Sequence, residues 1–281
     1  MHTEEAHVPT PMARTRTGSS ELARTIEHVV GAIEASAESR EPFHHLRIAS
    51  VFPAPLYATM LEALPERSDY RRMSGRARMD RGMDLIEART KIDLFPECVR
   101  RLPPAKRPVW ELVGATLRSP EVRDAWMRRL APGLERRFGE RHGGVGMYPV
   151  PILTRDVAGY KIGIHPDTRW KGMTIQLYLP RDLSIEHVGT IFHERNADGS
   201  YRRVTRMPFA PNSGYAFAVG KDTYHSVDTV GPEVRTRDSI LLTYFVDDTF
   251  LQAVNNRWKR LGNFVLGEAR NLGRGGAPGA R

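Results

Sequence analysis

The sequence predicts a mostly β fold with helical support in its N-terminal half. Three observations lead there. From Val145 onward the chain divides into short alternating segments separated by turn residues, at the spacing of a sandwich or barrel. Before that point, several stretches carry apolar residues at helical spacing, with caps and first-turn prolines. The 281 residues, 40% of them hydrophobic, suffice for one large domain or a domain with a sizeable extension.

Taken in order, residues 1–18 read as a disordered leader rich in Thr, Pro and small residues. Residues 19–144 read as a mainly helical region packed on the β core. Its first helix runs from about Ser20 to Ser36, with Leu22, Ile26, Val29, Val30 and Ile33 on one face. His45 to Phe52 is a strand. A second helix has Pro55 near its first turn and stops at Pro65. Residues 66–91 alternate arginines and methionines around glycines, and read as a solvated loop or as a lid over a substrate. Helices follow at Lys106–Leu117 and after Ser119-Pro120-Glu121, which supplies a cap, a first-turn proline and an acid. Pro132 restarts the helix and Gly143-Gly144 ends it.

The β core is placed at 145–250. Its strands are expected at Val145–Arg155, Tyr160–His165, Met173–Leu179, Gly189–Glu194, Tyr201–Met207, Gly214–Ala218 and Ser239–Val246. Residues 251–281 form a C-terminal extension whose Gly-Arg-Gly-Gly-Ala-Pro-Gly tail reads as disordered.

Composition narrows the function classes. No apolar run approaches the length needed to span a bilayer, and residues 1–20 lack the apolar core of a secretory signal. Cys98 is the single cysteine, so no intramolecular disulfide forms, and a cytoplasmic enzyme is the simplest reading. The net charge of +9 invites a nucleic-acid partner. Yet 36 of the 42 basic residues are arginine, a skew expected from genome composition, and acidic residues are scattered among them. The charge does leave room for an anionic substrate.

The chemistry centres on His165-Pro166-Asp167 and the distant His225. A histidine and a carboxylate two residues apart, with a third ligand from elsewhere, can hold one face of an octahedral metal and leave the other positions open. Alone, the triplet equally fits a turn histidine hydrogen-bonded to Asp167. An ordered set of polar residues follows it. Thr174, Gln176 and Tyr178 share one strand face, which looks toward water or into a barrel pocket. Arg235, Arg237 and Ser239 share another, combining charge, a guanidinium fork and a hydroxyl into a carboxylate site.

In this combination the stretch from about 147 to 246 resembles the Fe(II)/2-oxoglutarate-dependent dioxygenase superfamily, in its prolyl-hydroxylase-like branch. The residues that carry the resemblance are His165-Pro166-Asp167, Tyr178-Leu179, His225-Ser226-Val227 and Arg237-Asp238-Ser239, in that order. The resemblance implies a double-stranded β-helix, or jelly roll, with the N-terminal helices packed on it. It implies that His165, Asp167 and His225 ligate Fe(II). Arg237 would then bind the distal carboxylate of 2-oxoglutarate with Ser239 and Tyr178, and Arg235 is the competing anchor. O2 and 2-oxoglutarate would be cosubstrates, and a small-molecule substrate would be hydroxylated. The acid at Asp167 points the same way, because halogenating relatives carry a small residue there. Arg169, Trp170 and Arg155 are candidate substrate contacts. His187 and His193 read as surface or core histidines.

Three other readings compete. A protein or peptide substrate would suit the basic 66–91 segment. A cupin-type metal jelly roll would want two nearby histidines and a glutamate, which this triplet does not supply. A basic nucleic-acid-binding module would interleave aromatics with its arginines, whereas 66–91 holds only Tyr70.

Overall fold

The structure is a computed structural model that describes residues 11–73 and 88–246. The expectations for residues 1–10, for most of the proposed lid (74–87), for the last residues of the β core (247–250) and for the C-terminal extension (251–281) lie outside the described residues.

The N-terminal half supplies helices α1 (Pro11–Glu34), α2 (Ala54–Glu62), α3 (Pro96–Val99), α4 (Arg107–Leu117), α5 (Pro120–Arg129) and α6 (Ala131–Phe138). Helix α1 starts at Pro11, so residues 11–18, expected in the leader, are helical. A proline at a first helical position gives up an N–H that would be unpaired anyway, and nothing between it and Ser20 breaks the helix. At α5 the Ser119 hydroxyl accepts from the Val122 N–H at 3.3 Å, the cap read from the sequence. Helix α6 ends earlier than expected, at Gly139, whose φ of +67° takes the chain out of the helix.

The strands are β1 (Ala37–Ser39), β2 (His45–Ala49), β3 (Arg71–Arg72), β4 (Arg89–Asp93), β5 (Met147–Asp156), β6 (Ile162–His165) and β7 (Lys171–Tyr178). They continue with β8 (Ile191–Arg195), β9 (Tyr201–Arg206), β10 (Ser213–Ala218), β11 (Tyr224–Val227) and β12 (Arg237–Val246). They form two antiparallel sheets. The larger has the order β1-β2-β10-β7-β12-β5-β4-β3 and the smaller β6-β11-β8-β9. From β5 to β12 the chain passes back and forth between the sheets, apart from the β8–β9 hairpin within the small one, the winding of a double-stranded β-helix.

Strand period explains how the large sheet serves two layers. Met173, Ile175 and Leu177 of β7 and Ile240, Leu242 and Tyr244 of β12 point outward. They pack on Val29, Ile33, Trp110, Val113 and Trp126 of the helices in one buried cluster. The opposite face carries Tyr178, Tyr215 and Phe217, which meet Phe192 and Val227 of the small sheet in a second cluster. The helices thus seal one side of the large sheet, leaving its inner face for the site.

One segment departs from the sequence reading. The Arg-rich segment contains the paired strands β3 and β4, and β4 joins the edge of β5. Strand β5, expected at Val145–Arg155, runs through Pro149 and Pro151 without breaking. The Pro151 carbonyl accepts from the Leu94 N–H on that edge, so both prolines turn their missing N–H away from β12.

Candidate metal and keto-acid site

Short backbone segments bring the three metal-ligand candidates together. His165 ends β6 and His225 lies opposite it in the β6–β11 register, with ring centroids 4.4 Å apart. Asp167 follows two residues later, in the turn into β7. One ligand atom from each of His165, Asp167 and His225 lies within 4.8 Å of the others. This is the one His/Cys/Asp/Glu group among the described residues with metal-binding geometry.

Both imidazoles are oriented the same way. His165 Nδ1 lies 2.9 Å from the Gly163 carbonyl, and His225 Nδ1 lies 3.0 Å from the Thr223 carbonyl. A carbonyl only accepts, so in each neutral ring the proton sits on Nδ1 and Nε2 presents its lone pair. Burial pushes the His225 pKa down to about 4, with nearby Asp167 opposing and His165 adding to the shift. A neutral imidazole is the metal-binding form. Burial alone would raise the Asp167 carboxyl. Lys171, His225 and the hydrogen bonds from Lys171 and Thr174 outweigh it and hold the group ionised, well below the usual carboxylate range. Lys171 lies on Asp167 Oδ1 at 2.5 Å, and Thr174 donates to Oδ2 at 2.7 Å.

Thr174 begins a row along the inner face of β7 that leads to the arginine. Next in the row, Gln176 donates to the Ser239 hydroxyl at 2.9 Å and accepts from the Tyr215 hydroxyl at 3.0 Å. The Ser239 hydroxyl also lies 2.9 Å from Thr154 Oγ1. Tyr178 ends the row, its ring centroid 5.8 Å from the Arg237 guanidinium carbon and its hydroxyl engaged with Thr190. The polar face of β7 therefore looks inward, the pocket alternative of the sequence reading.

Arg237 is fully buried. Its Nε donates to the Val188 carbonyl and its Nη1 to Asp156 Oδ2, both at 2.8 Å. Its Nη2 is buried and has no hydrogen-bond partner among the described residues. An orphaned guanidinium nitrogen inside a protein is costly unless something anionic or polar occupies the space beside it.

The remaining sequence candidates lie elsewhere. Arg235 precedes β12 and is exposed, so it does not share the inner face with Arg237 despite its parity. Arg155 is turned to the outer face of β5. It pairs with Asp238 at 2.6 Å and lies over the Tyr70 ring at 4.7 Å, so it is no pocket residue. The cause is alternation, since its neighbours Thr154 and Asp156 take the inner face. Arg169 and Trp170 are exposed in the β6–β7 turn, one stacked on the other at 4.5 Å. His187 is exposed, whereas His193 is buried and hydrogen-bonded to Ser226 at 2.7 Å. The sequence reading passed over Asp156, Tyr215, Thr190 and Arg89. Asp156 alone had a signal, its two-residue spacing from Thr154 on a strand.

The class defined by this arrangement is a jelly roll carrying a two-histidine, one-carboxylate face and a buried arginine. A scan against protein-family models and a search of curated proteins find no match. Among solved structures, the chain is similar to a prolyl-4-hydroxylase from Pseudomonas putida, with 17% identity, a TM-score of 0.44, and coverage of 78% of this chain and 98% of that one. It is also similar to a Trichoplax adhaerens prolyl hydroxylase in complex with a hypoxia inducible factor oxygen degradation domain peptide fragment. There identity is 10%, the TM-score 0.48, and coverage 85% and 94%. A third similar structure is a non-heme alpha ketoglutarate dependent epimerase from nogalamycin biosynthesis, at 13% identity, a TM-score of 0.44, and 78% and 82% coverage. Among the described residues, no helix is long and apolar enough to cross a membrane.

Proposed function

We propose that this protein is an Fe(II)- and 2-oxoglutarate-dependent oxygenase that hydroxylates a small molecule. One observation carries the reading. Two imidazoles presenting Nε2 and one ionised carboxylate converge within 4.8 Å, and a row of inner polar residues runs from them to a buried arginine with an unpartnered nitrogen. That donor set suits a non-haem ferrous ion with positions left for other ligands. The orphaned Arg237 Nη2, on the same strand face as Ser239, suits a carboxylate.

Bound iron with 2-oxoglutarate and O2 supplies oxidative decarboxylation of the keto acid, coupled to oxidation of a C–H bond. The chain's own residues do the rest. His165, Asp167 and His225 hold the metal, and the Gly163 and Thr223 carbonyls fix the ring tautomers. Arg237 binds the distal carboxylate of 2-oxoglutarate. Ser239, Thr154, Gln176 and Tyr215 form the hydrogen-bonded wall that keeps that end polar, while Phe209 covers the guanidinium at 5.0 Å and Phe217 lies against His225 at 5.2 Å, excluding water from both ends. The net charge of +9 favours an anionic substrate, and Arg169 and Trp170, exposed just after Asp167 in the chain, are available to contact it.

The test is anaerobic loading with Fe(II) and 2-oxoglutarate, followed by succinate release with O2 against small-molecule and peptide libraries. Turnover stimulated by peptides alone would refute the small-molecule assignment. Asp167→Ala abolishes both iron binding and succinate formation; equal turnover in that variant would remove the metal assignment. Arg237→Ala weakens 2-oxoglutarate binding by about 2–5 kcal/mol, as for a truncated buried charge partner, whereas Arg235→Ala leaves it unchanged.

A further inference from the structure

Arg237 does not stand alone at its end of the pocket. The β4–β5 register sets Arg89 opposite Asp156, and the β5–β12 register sets Asp156 opposite Arg237. Three adjacent strands thus contribute one rung of side chains, Arg89, Asp156 and Arg237. Asp156 is fully buried; its Oδ2 accepts from Arg237, while its Oδ1 lies 3.1 Å from Arg89 Nε as an ion pair without hydrogen-bond alignment. Arg89 is anchored on its far side by Tyr160, which accepts from its Nη1 and whose ring centre lies 4.8 Å from its guanidinium carbon.

The charges explain why a second arginine matters. An Arg237–Asp156 pair on its own would be neutral, and its aspartate would compete with any incoming carboxylate for the guanidinium. Arg89 divides the Asp156 charge between two cations and leaves the rung at net +1. A buried uncompensated charge is expensive, so one further anion completes the rung. Arg89 comes from β4, in the N-terminal half, and not from the strands that carry the metal ligands.

We infer that Arg89 is a positioning residue for keto-acid recognition, holding Asp156 so that Arg237 selects a dicarboxylate over a monocarboxylate keto acid. The inference rests on the oxygenase reading and goes beyond it by assigning cosubstrate selectivity to a residue on the sheet edge.

The experiment is anaerobic calorimetric titration of the Fe(II)-loaded full chain with 2-oxoglutarate and with pyruvate, which lacks the distal carboxylate. Wild type, Arg89→Lys and Arg89→Gln are compared. In Arg89→Gln, 2-oxoglutarate binding falls by about tenfold, the scale for losing a residue that orients a ligand-holding group, and pyruvate binding stays within about twofold. Arg89→Lys, which keeps the charge, recovers most of the loss. An unchanged preference for 2-oxoglutarate in Arg89→Gln would overturn the inference, as would equal losses for both acids. Should Arg89→Gln fail to fold, Tyr160→Phe removes the far-side anchor alone. A selective loss of 2-oxoglutarate affinity then supports the inference, and no selective loss overturns it. Wild-type protein that binds neither keto acid, or both equally, would instead sink the oxygenase reading beneath it.

Discussion

Removing the anion from the Arg89–Asp156–Arg237 rung should harm the fold more than removing a cation. Asp156→Asn leaves two guanidiniums facing one another in a buried corner, raising the rung from net +1 to net +2. Breaking a buried pair by deleting one partner costs about 3–5 kcal/mol. Arg237→Met does the opposite. Asp156 keeps Arg89 at 3.1 Å, the rung becomes neutral, and the methionine retains much of the contact with Tyr178 and Phe209. The substitution leaves both the Val188 carbonyl and Asp156 Oδ2 without their donor; with Arg89 beside Asp156 to take up the released oxygen, the remaining cost is about 1–3 kcal/mol. Burial leaves the Asp156 carboxyl above its usual range even with Arg89 and then Arg237 opposing, and its direct ion pairs with both guanidiniums favour the carboxylate form. At about 2–4 °C per kcal/mol for a domain of this size, Asp156→Asn lowers Tm by roughly 6–20 °C and Arg237→Met by roughly 2–12 °C. The assay is thermal unfolding of metal-free protein by circular dichroism, in buffer without phosphate or carboxylate. Arg237→Met melting below Asp156→Asn would refute the charge argument.

Three more outcomes follow from packing and ionisation. Trp110→Ala, which empties a fully buried site and frees the Ala63 carbonyl, costs about 3–5 kcal/mol in urea unfolding; a loss under about 1 would mean the helices do not stabilise the large sheet. Burial lowers the pKa of His45 below 6.5, so between the two values the unfolded chain binds its proton more readily than the folded one. Stability is therefore intact above about pH 6.5 and falls as pH drops below it, and His45→Phe flattens that slope; an equal slope in the variant would exclude His45 as its source. Arg155→Met leaves Asp238 buried without its partner and costs about 3–5 kcal/mol of stability. The folded fraction keeps wild-type affinity for 2-oxoglutarate in titration, and a weakened affinity would return Arg155 to the pocket.

What could be read from the sequence, and what could not, divides along a physical line. Period-two alternation assigns each strand residue to a face, so Thr174, Gln176 and Tyr178, and Arg237 with Ser239, were legible as shared faces. Turn residues and caps located most of the helices and strands to within a few residues. Alternation does not say which strands are neighbours or in what register, because hydrogen-bonded partners lie far apart in the chain. Arg155 and Arg235 show the cost. Each had a polar residue's chemistry and a favourable position in the sequence, yet one faces outward from its strand and the other lies before its strand begins. Arg89 shows the converse. Its segment read as a solvated loop or a lid, and only the β4–β5 register places it on the rung with Asp156 and Arg237. A buried charge is defined by its neighbours rather than by its own side chain. The arginine anchor could therefore be named from one strand, but its free charge becomes visible only when three strands are laid side by side.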